Sequence, residues 1–125
     1  MEFTEGSGRT RVRLQLTAAG EDWQVLLTGG ERPHIGAVVL AVPRPSLRGS
    51  GMSCDCWVTP VTAHKDHLMA QPLAEKLCLA CGRTVAVSAG LHVDRAAPEE
   101  LQQFERNCRA AAAAAVEWLQ GQAAD

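Results

Sequence analysis

The sequence predicts an α+β two-layer sandwich, an antiparallel or mixed sheet of about five strands with two helices on one face. Three observations carry this reading. Alternating apolar and polar residues crowd the first half of the chain, apolar residues recur at helical spacing in two later stretches, and a short β-branched run separates those two. The predicted order is strand, strand, strand, strand, helix, strand, helix.

The elements follow in turn. Arg11–Leu16 (Arg-Val-Arg-Leu-Gln-Leu) has the two-residue period of a half-buried strand, Ala18–Asp22 turns at Gly20, and Trp23–Thr28 returns as its hairpin partner. Gly29-Gly30-Glu31-Arg32-Pro33 breaks the chain just before His34. Ile35–Val42 is almost continuously apolar, the pattern of a strand buried on both faces. Pro43 to Gly51 is a loop, since two prolines do not fit a central strand. Met52–Val58 alternates again, with Cys54 and Cys56 on one side and Ser53, Asp55 and Trp57 on the other.

Pro60–Ala63 connects to His64, and Met69, Leu73, Leu77 and Ala80 recur at helical spacing from Asp66 to Cys81. Pro72 interrupts this helix and predicts a kink near Ala70 or a later start near Gln71. Gly82 is the expected stop. Thr84–Ala89 reads as a strand ended by Gly90, with His92 just beyond it. Pro98-Glu99-Glu100 opens the last helix, proline suiting its first turn and the carboxylates its positive end. Leu101, Phe104, Cys108, Ala111, Ala115 and Trp118 or Leu119 form its apolar stripe, and the alanine run 110–115 suits close packing on a sheet.

The 125 residues have room for one domain: 1–10 read as a flexible lead-in, 11–120 as the domain and 121–125 as a flexible tail. Apolar residues make up 46% and charged residues 21%, with a net charge of −2 and no run of like charge, which argues against nucleic acid and anionic membranes as partners. No segment has the apolar length of a membrane span or a signal peptide core, so the chain is read as cytoplasmic. Its five cysteines, an odd number, are then expected as free thiols.

Three of the four histidines sit at boundaries of predicted elements: His34 after the glycine-proline break, His64 opening His-Lys-Asp, and His92 opening His-Val-Asp. Neutral imidazoles from three segments can hold Zn, Mn, Fe, Co or Ni with positions left open, and Asp66 and Asp94 can join the ligands or orient them. The bland alternative is three unrelated histidines. Cys78-Leu-Ala-Cys81 reads first as core packing, with a zinc half-site or a redox pair as alternatives. It ends a helix, where the dipole disfavours a thiolate. Arg32, Arg44, Lys65 and Arg83 lie near these loops and can meet a phosphate, as can backbone amides at Gly29 and Gly30. Trp23 and Trp57 can stack on a planar ligand, and Asp55 can add a carboxylate.

Thr28-Gly-Gly-Glu-Arg-Pro-His-Ile-Gly36, Ala63-His-Lys-Asp66 and Ser88-Ala-Gly-Leu-His-Val-Asp94 with Pro98-Glu-Glu, taken together and in order, resemble the small accessory component of gallate-type decarboxylase systems, the LpdD-like prenylated-flavin chaperones. The resemblance covers residues 11 to 105. It implies an accessory protein, not an enzyme, that binds prenylated FMN with a divalent transition metal and passes it to a UbiD-type (de)carboxylase. It also implies His34, His64 and His92 as the metal set beside Asp66 and Asp94. Gly29, Gly30, Arg32, Arg44, Lys65 and Gly90 are the expected cofactor-binding positions. Two departures stand out: Ala63 in place of a glycine, and Arg95-Ala-Ala in place of an Asn-Ala-Thr/Ser helix cap. Two other readings stay open. One is a small metal-dependent hydrolase or decarboxylase with Glu31 or Asp66 as base. The other is an accessory protein without metal. The oligomeric state is open as well, a homo-oligomer included.

Overall fold

Alternation in the sequence translates directly into a sheet with one covered face. The computed structural model describes residues 1–62 and 66–123. Six strands form one mixed sheet: β1 (Glu2–Glu5), β2 (Val12–Ala19), β3 (Asp22–Gly30), β4 (Ala37–Pro45), β5 (Met52–Pro60) and β6 (Val85–His92). They lie side by side in the order β1-β2-β3-β6-β4-β5, with β3 and β6 parallel and every other pairing antiparallel. Two helices, α1 (His67–Cys81) and α2 (Pro98–Ala123), pack against each other. α1 covers β4, β5 and β6, while α2 covers β1 and β2.

The inward residues are those of one strand phase, Val12, Leu14 and Leu16 on β2, Val25 and Leu27 on β3, and Val85, Val87 and Ala89 on the central β6. Burying each such aliphatic side chain contributes about 1.5–3 kcal/mol. β4 departs from expectation. Its apolar run predicts burial on both faces, yet Ala37, Val39 and Ala41 are buried while Val38 and Leu40 are exposed. With both helices on one face, none of the described residues covers the other.

The lead-in expected at residues 1–10 is instead an ordered edge. β1 pairs with β2, and the Met1 ammonium donates to the Leu16 carbonyl at 2.8 Å. Buried Asn107 on α2 donates to the Thr10 carbonyl at 2.7 Å. Gly6 packs so closely on Asn107 that a Cβ there would lie 2.3 Å from its amide nitrogen. Polar composition hid this strand. At the other terminus α2 continues to Ala123, into the expected tail.

α1 runs unbroken through Pro72 and starts at His67, not at Gln71. Leu68 and Pro72 are both exposed, so water can serve the carbonyl that the proline amide cannot. Gly82 closes the helix in the left-handed region (φ +66°), its N–H donating to the Cys78 carbonyl at 2.8 Å. Leu101 is exposed, not part of the buried stripe of α2.

Candidate functional site

The parallel pairing of β3 with β6 places Gly29 beside Leu91 and Gly30 beside His92 at one end of the sheet. The strand therefore ends at His92, three residues later than predicted, and the ring projects from a rigid terminus. The chain leaving β3 passes back over the same end and delivers His34. Its ring centroid lies 6.4 Å from that of His92, with the planes at 79°. Two of the three predicted imidazoles are thus brought together. His64, with Lys65, lies outside the described residues.

Asp66 fixes His34. This carboxylate is buried at the position just before α1, where a side chain usually caps the helix, yet it caps nothing. Its Oδ1 accepts the Leu91 N–H at 2.8 Å and its Oδ2 faces His34 Nε2 at 3.2 Å. His34 Nδ1 faces the Arg32 carbonyl at 2.9 Å. Both partners of the ring are acceptors, and a neutral imidazole carries one N–H. The single N–H of the Nε2–H tautomer serves the carboxylate, and a metal ion between Nε2 and Oδ2 would serve it equally.

Absence of side chains makes this contact fit. A Cβ at Gly36 would lie 1.8 Å from Asp66 Oδ2, and one at Gly90 would lie 1.8 Å from the His34 carbonyl oxygen. Gly90 therefore serves His34 by close approach. Gly36 does the same, and only its place two residues after His34 hinted at it. Gly29 and Gly30 act differently from the phosphate cradle the sequence suggested. The Gly30 amide is spent on the Arg11 carbonyl (3.1 Å), Glu31 N–H on the His92 carbonyl (2.8 Å), and a Cβ at Gly30 would meet His92 oxygen at 2.1 Å.

His92 has a looser partner. Its Nε2 lies 2.8 Å from Asp94 Oδ1, and Arg32 reaches Asp94 Oδ2 at 3.2 Å. The His92 hydrogen bond, then the Arg32 charge, hold the Asp94 carboxyl below its usual range. Arg9, not singled out from the sequence, ties the loops together by contacts to Glu31, Glu100 and the Asp94 carbonyl, and Glu31 accepts the Asp94 N–H at 3.1 Å.

Other predicted residues do not converge. Arg44 sits seven residues along β4 from Ala37, about 23 Å away at strand rise. It pairs with Asp55 at 2.7 Å, so both stand at the far end of the sheet and leave the site. Arg83 pairs with Glu21 and Trp23 packs edge-on against Trp118 (5.4 Å between centroids). Cys78 is buried in the core, and burial pushes its thiol up to about 12. Cys56 is likewise pushed up to about 12, by burial and then by Cys54 and Glu75, which supports packing over thiolate chemistry. His67 was also missed: its Nδ1 is buried with no hydrogen-bond partner among the described residues.

Beside the histidines opens a cavity of about 590 Å³. Asp66 and His92 stand on its wall with Met69, Leu91, Leu101 and Phe104, and Gln102 and Glu105 add polar groups from α2. The family model of the prenylated flavin chaperone LpdD-like domain matches residues 6–120. The chain belongs to this family. Among curated proteins, none matches the chain. Membership assigns the LpdD-like chain a place among chaperones of a prenylated flavin. No helix among the described residues is long and apolar enough to cross a membrane. Nor do the described residues contain a group of three or more His, Cys, Asp and Glu side chains assembled to hold a metal.

Proposed function

We propose that this LpdD-like chain carries prenylated FMN at the sheet end around His34, Asp66 and His92, with the help of a divalent transition metal. It hands the cofactor to a UbiD-type (de)carboxylase and performs no catalysis of its own. One observation supports this above others: His34 Nε2 and Asp66 Oδ2 stand 3.2 Å apart, and Asp66 lines the cavity. Two adjacent ligands of one ion at about 2.1 Å are separated by about 3.0–3.4 Å, so this pair already has the spacing of neighbours in a coordination shell. His34 and Asp66 would hold the ion, with His92 turning from Asp94 to join them and His64 as the third imidazole.

A bound ion would supply Lewis acidity toward the flavin, held by His34 and Asp66, and nothing in carriage requires a bond to break. The apolar wall formed by Met69, Leu91, Leu101 and Phe104 suits the prenylated ring system and keeps water from it. Arg32, exposed beside Asp94, is a cation for the phosphate, and Lys65 is the further candidate that the sequence offers. Release requires that the ligand be held at loops, not enclosed in the core, and both histidine loops lie at the rim of the sheet.

Anaerobic titration with reduced prenylated FMN, followed by calorimetry with and without a chelator, tests the reading. Binding that weakens at least tenfold with chelator supports it. Equal binding in both arms removes the metal, and no binding in either removes the carrier role.

A further inference from the structure

The two edges of the sheet are finished differently. β1 is four residues long and carries Glu2 and Glu5, Glu2 being held by Arg13 at 2.6 and 2.9 Å. Shortness and charge are how an edge avoids taking on another strand. β5, at the opposite edge, is nine residues long, has proline only at its last position, and bears one charge, Asp55, neutralised by Arg44. Beside it on the uncovered face, Trp57 is 58% exposed and stands directly opposite Leu40, with Val38 one row away. Toward β2 and β3 the same face is mainly polar, with Arg13, Gln15, Thr17, Gln24 and Thr28 around a single half-buried leucine, Leu26.

We propose that β5 is the contact between two copies of this chain, which join their β5 strands antiparallel about a two-fold axis and continue the sheet from one protomer into the other. Identical antiparallel strands are self-complementary, each contact being made twice. With Arg44 and Asp55 neutralising each other, the edge offers no charge to recognise an unlike partner and none to repel its own copy. A nine-residue strand is about 30 Å long, and a sheet with one helix layer is about 15–20 Å deep. The flank thus offers roughly 500 Å² per copy, about 1,000 Å² in all, the lower bound for a specific interface. Stacking through the whole open face is disfavoured because its other half is polar. A reversible dimer of micromolar affinity follows.

Light scattering on the full chain after size-exclusion chromatography, from about 1 to 300 μM, tests this. The expected result is a mass rising from one copy to two, with Trp57→Lys raising the dissociation constant at least tenfold at an unchanged circular dichroism spectrum. Leu79→Lys, at an exposed residue on α1, is expected to leave the constant unchanged. Should Trp57→Lys fail to fold, Val38→Lys on the same strip replaces it. One-copy mass throughout overturns the proposal, including the case in which the edge instead captures a different protein. A dimer equally sensitive, or equally insensitive, to the β5-strip and Leu79 variants also overturns it.

Discussion

His34 and His92 each face an aspartate, and the two pairs are built to opposite plans. In the first, side-chain exposure is 24% for His34 and 6% for Asp66; in the second it is 41% for His92 and 54% for Asp94. The buried pair bridges segments 32 residues apart and is enclosed by Gly36 and Gly90, which cannot carry a side chain. The exposed pair is local, two residues apart, and is shared with Arg32. One pair is built into the fold, and the other is a solvent-exposed contact beside it.

The strongest way to break this contrast is Gly90→Ala. The added Cβ meets His34 backbone, which cannot yield, and destabilisation of about 3 kcal/mol or more is expected in urea unfolding. Asp66→Ala comes next. It strips the acceptor from the Leu91 N–H and from His34, at a cost of about 2–3 kcal/mol, and Asp66→Asn should recover part of this by keeping one acceptor. Ala97→Ser sharpens the comparison from the loop after His92. Ala97 is the first capping position of α2, with its N–H already bound to Glu100 Oε1 at 3.0 Å, so a hydroxyl there should add about 0.5–1 kcal/mol.

Asp94→Ala sits at the small end, with an unfolding midpoint indistinguishable from wild type, because solvent screens both partners. Its effect is on pH response. The folded-state pKa of Asp94 is lowered, so the His92–Asp94 contact is complete above the usual carboxylate range and is lost as pH falls through that lowered value. Carboxyl NMR titration should show Asp94 protonating below the usual range, and His92→Ala should move it back up.

Much of the fold was legible in local pattern. The hairpin of β2 and β3, the α1 stop at Gly82 and the strand before His92 each follow from periodicity and turn residues. What local pattern could not supply was anything decided at a distance. The edge role of residues 2–5 depends on β2 and on Asn107, and the one-sided exposure of β4 depends on where both helices lie. Within the site, His34, His92, Asp66 and Asp94 stood out as residue types at element ends, and both aspartates do lie beside histidines. Arg44 falls in a stretch whose two prolines read as a loop, whereas β4 continues through both to Pro45 and carries Arg44 to the far end of the sheet. Gly29 and Gly30 invite a phosphate by composition, whereas β2 and His92 use their backbone.

In the proposed metal site, His34 and Asp66 form the half built into the fold while Asp94 stands outside it. Mn²⁺ titration followed by electron paramagnetic resonance, on wild type, His34→Ala, Asp66→Asn and Asp94→Ala, tests it most directly. One ion per wild-type chain is expected, with at least a tenfold loss of affinity in the first two variants and near-wild-type affinity in Asp94→Ala. Equal affinity in all four proteins would contradict it.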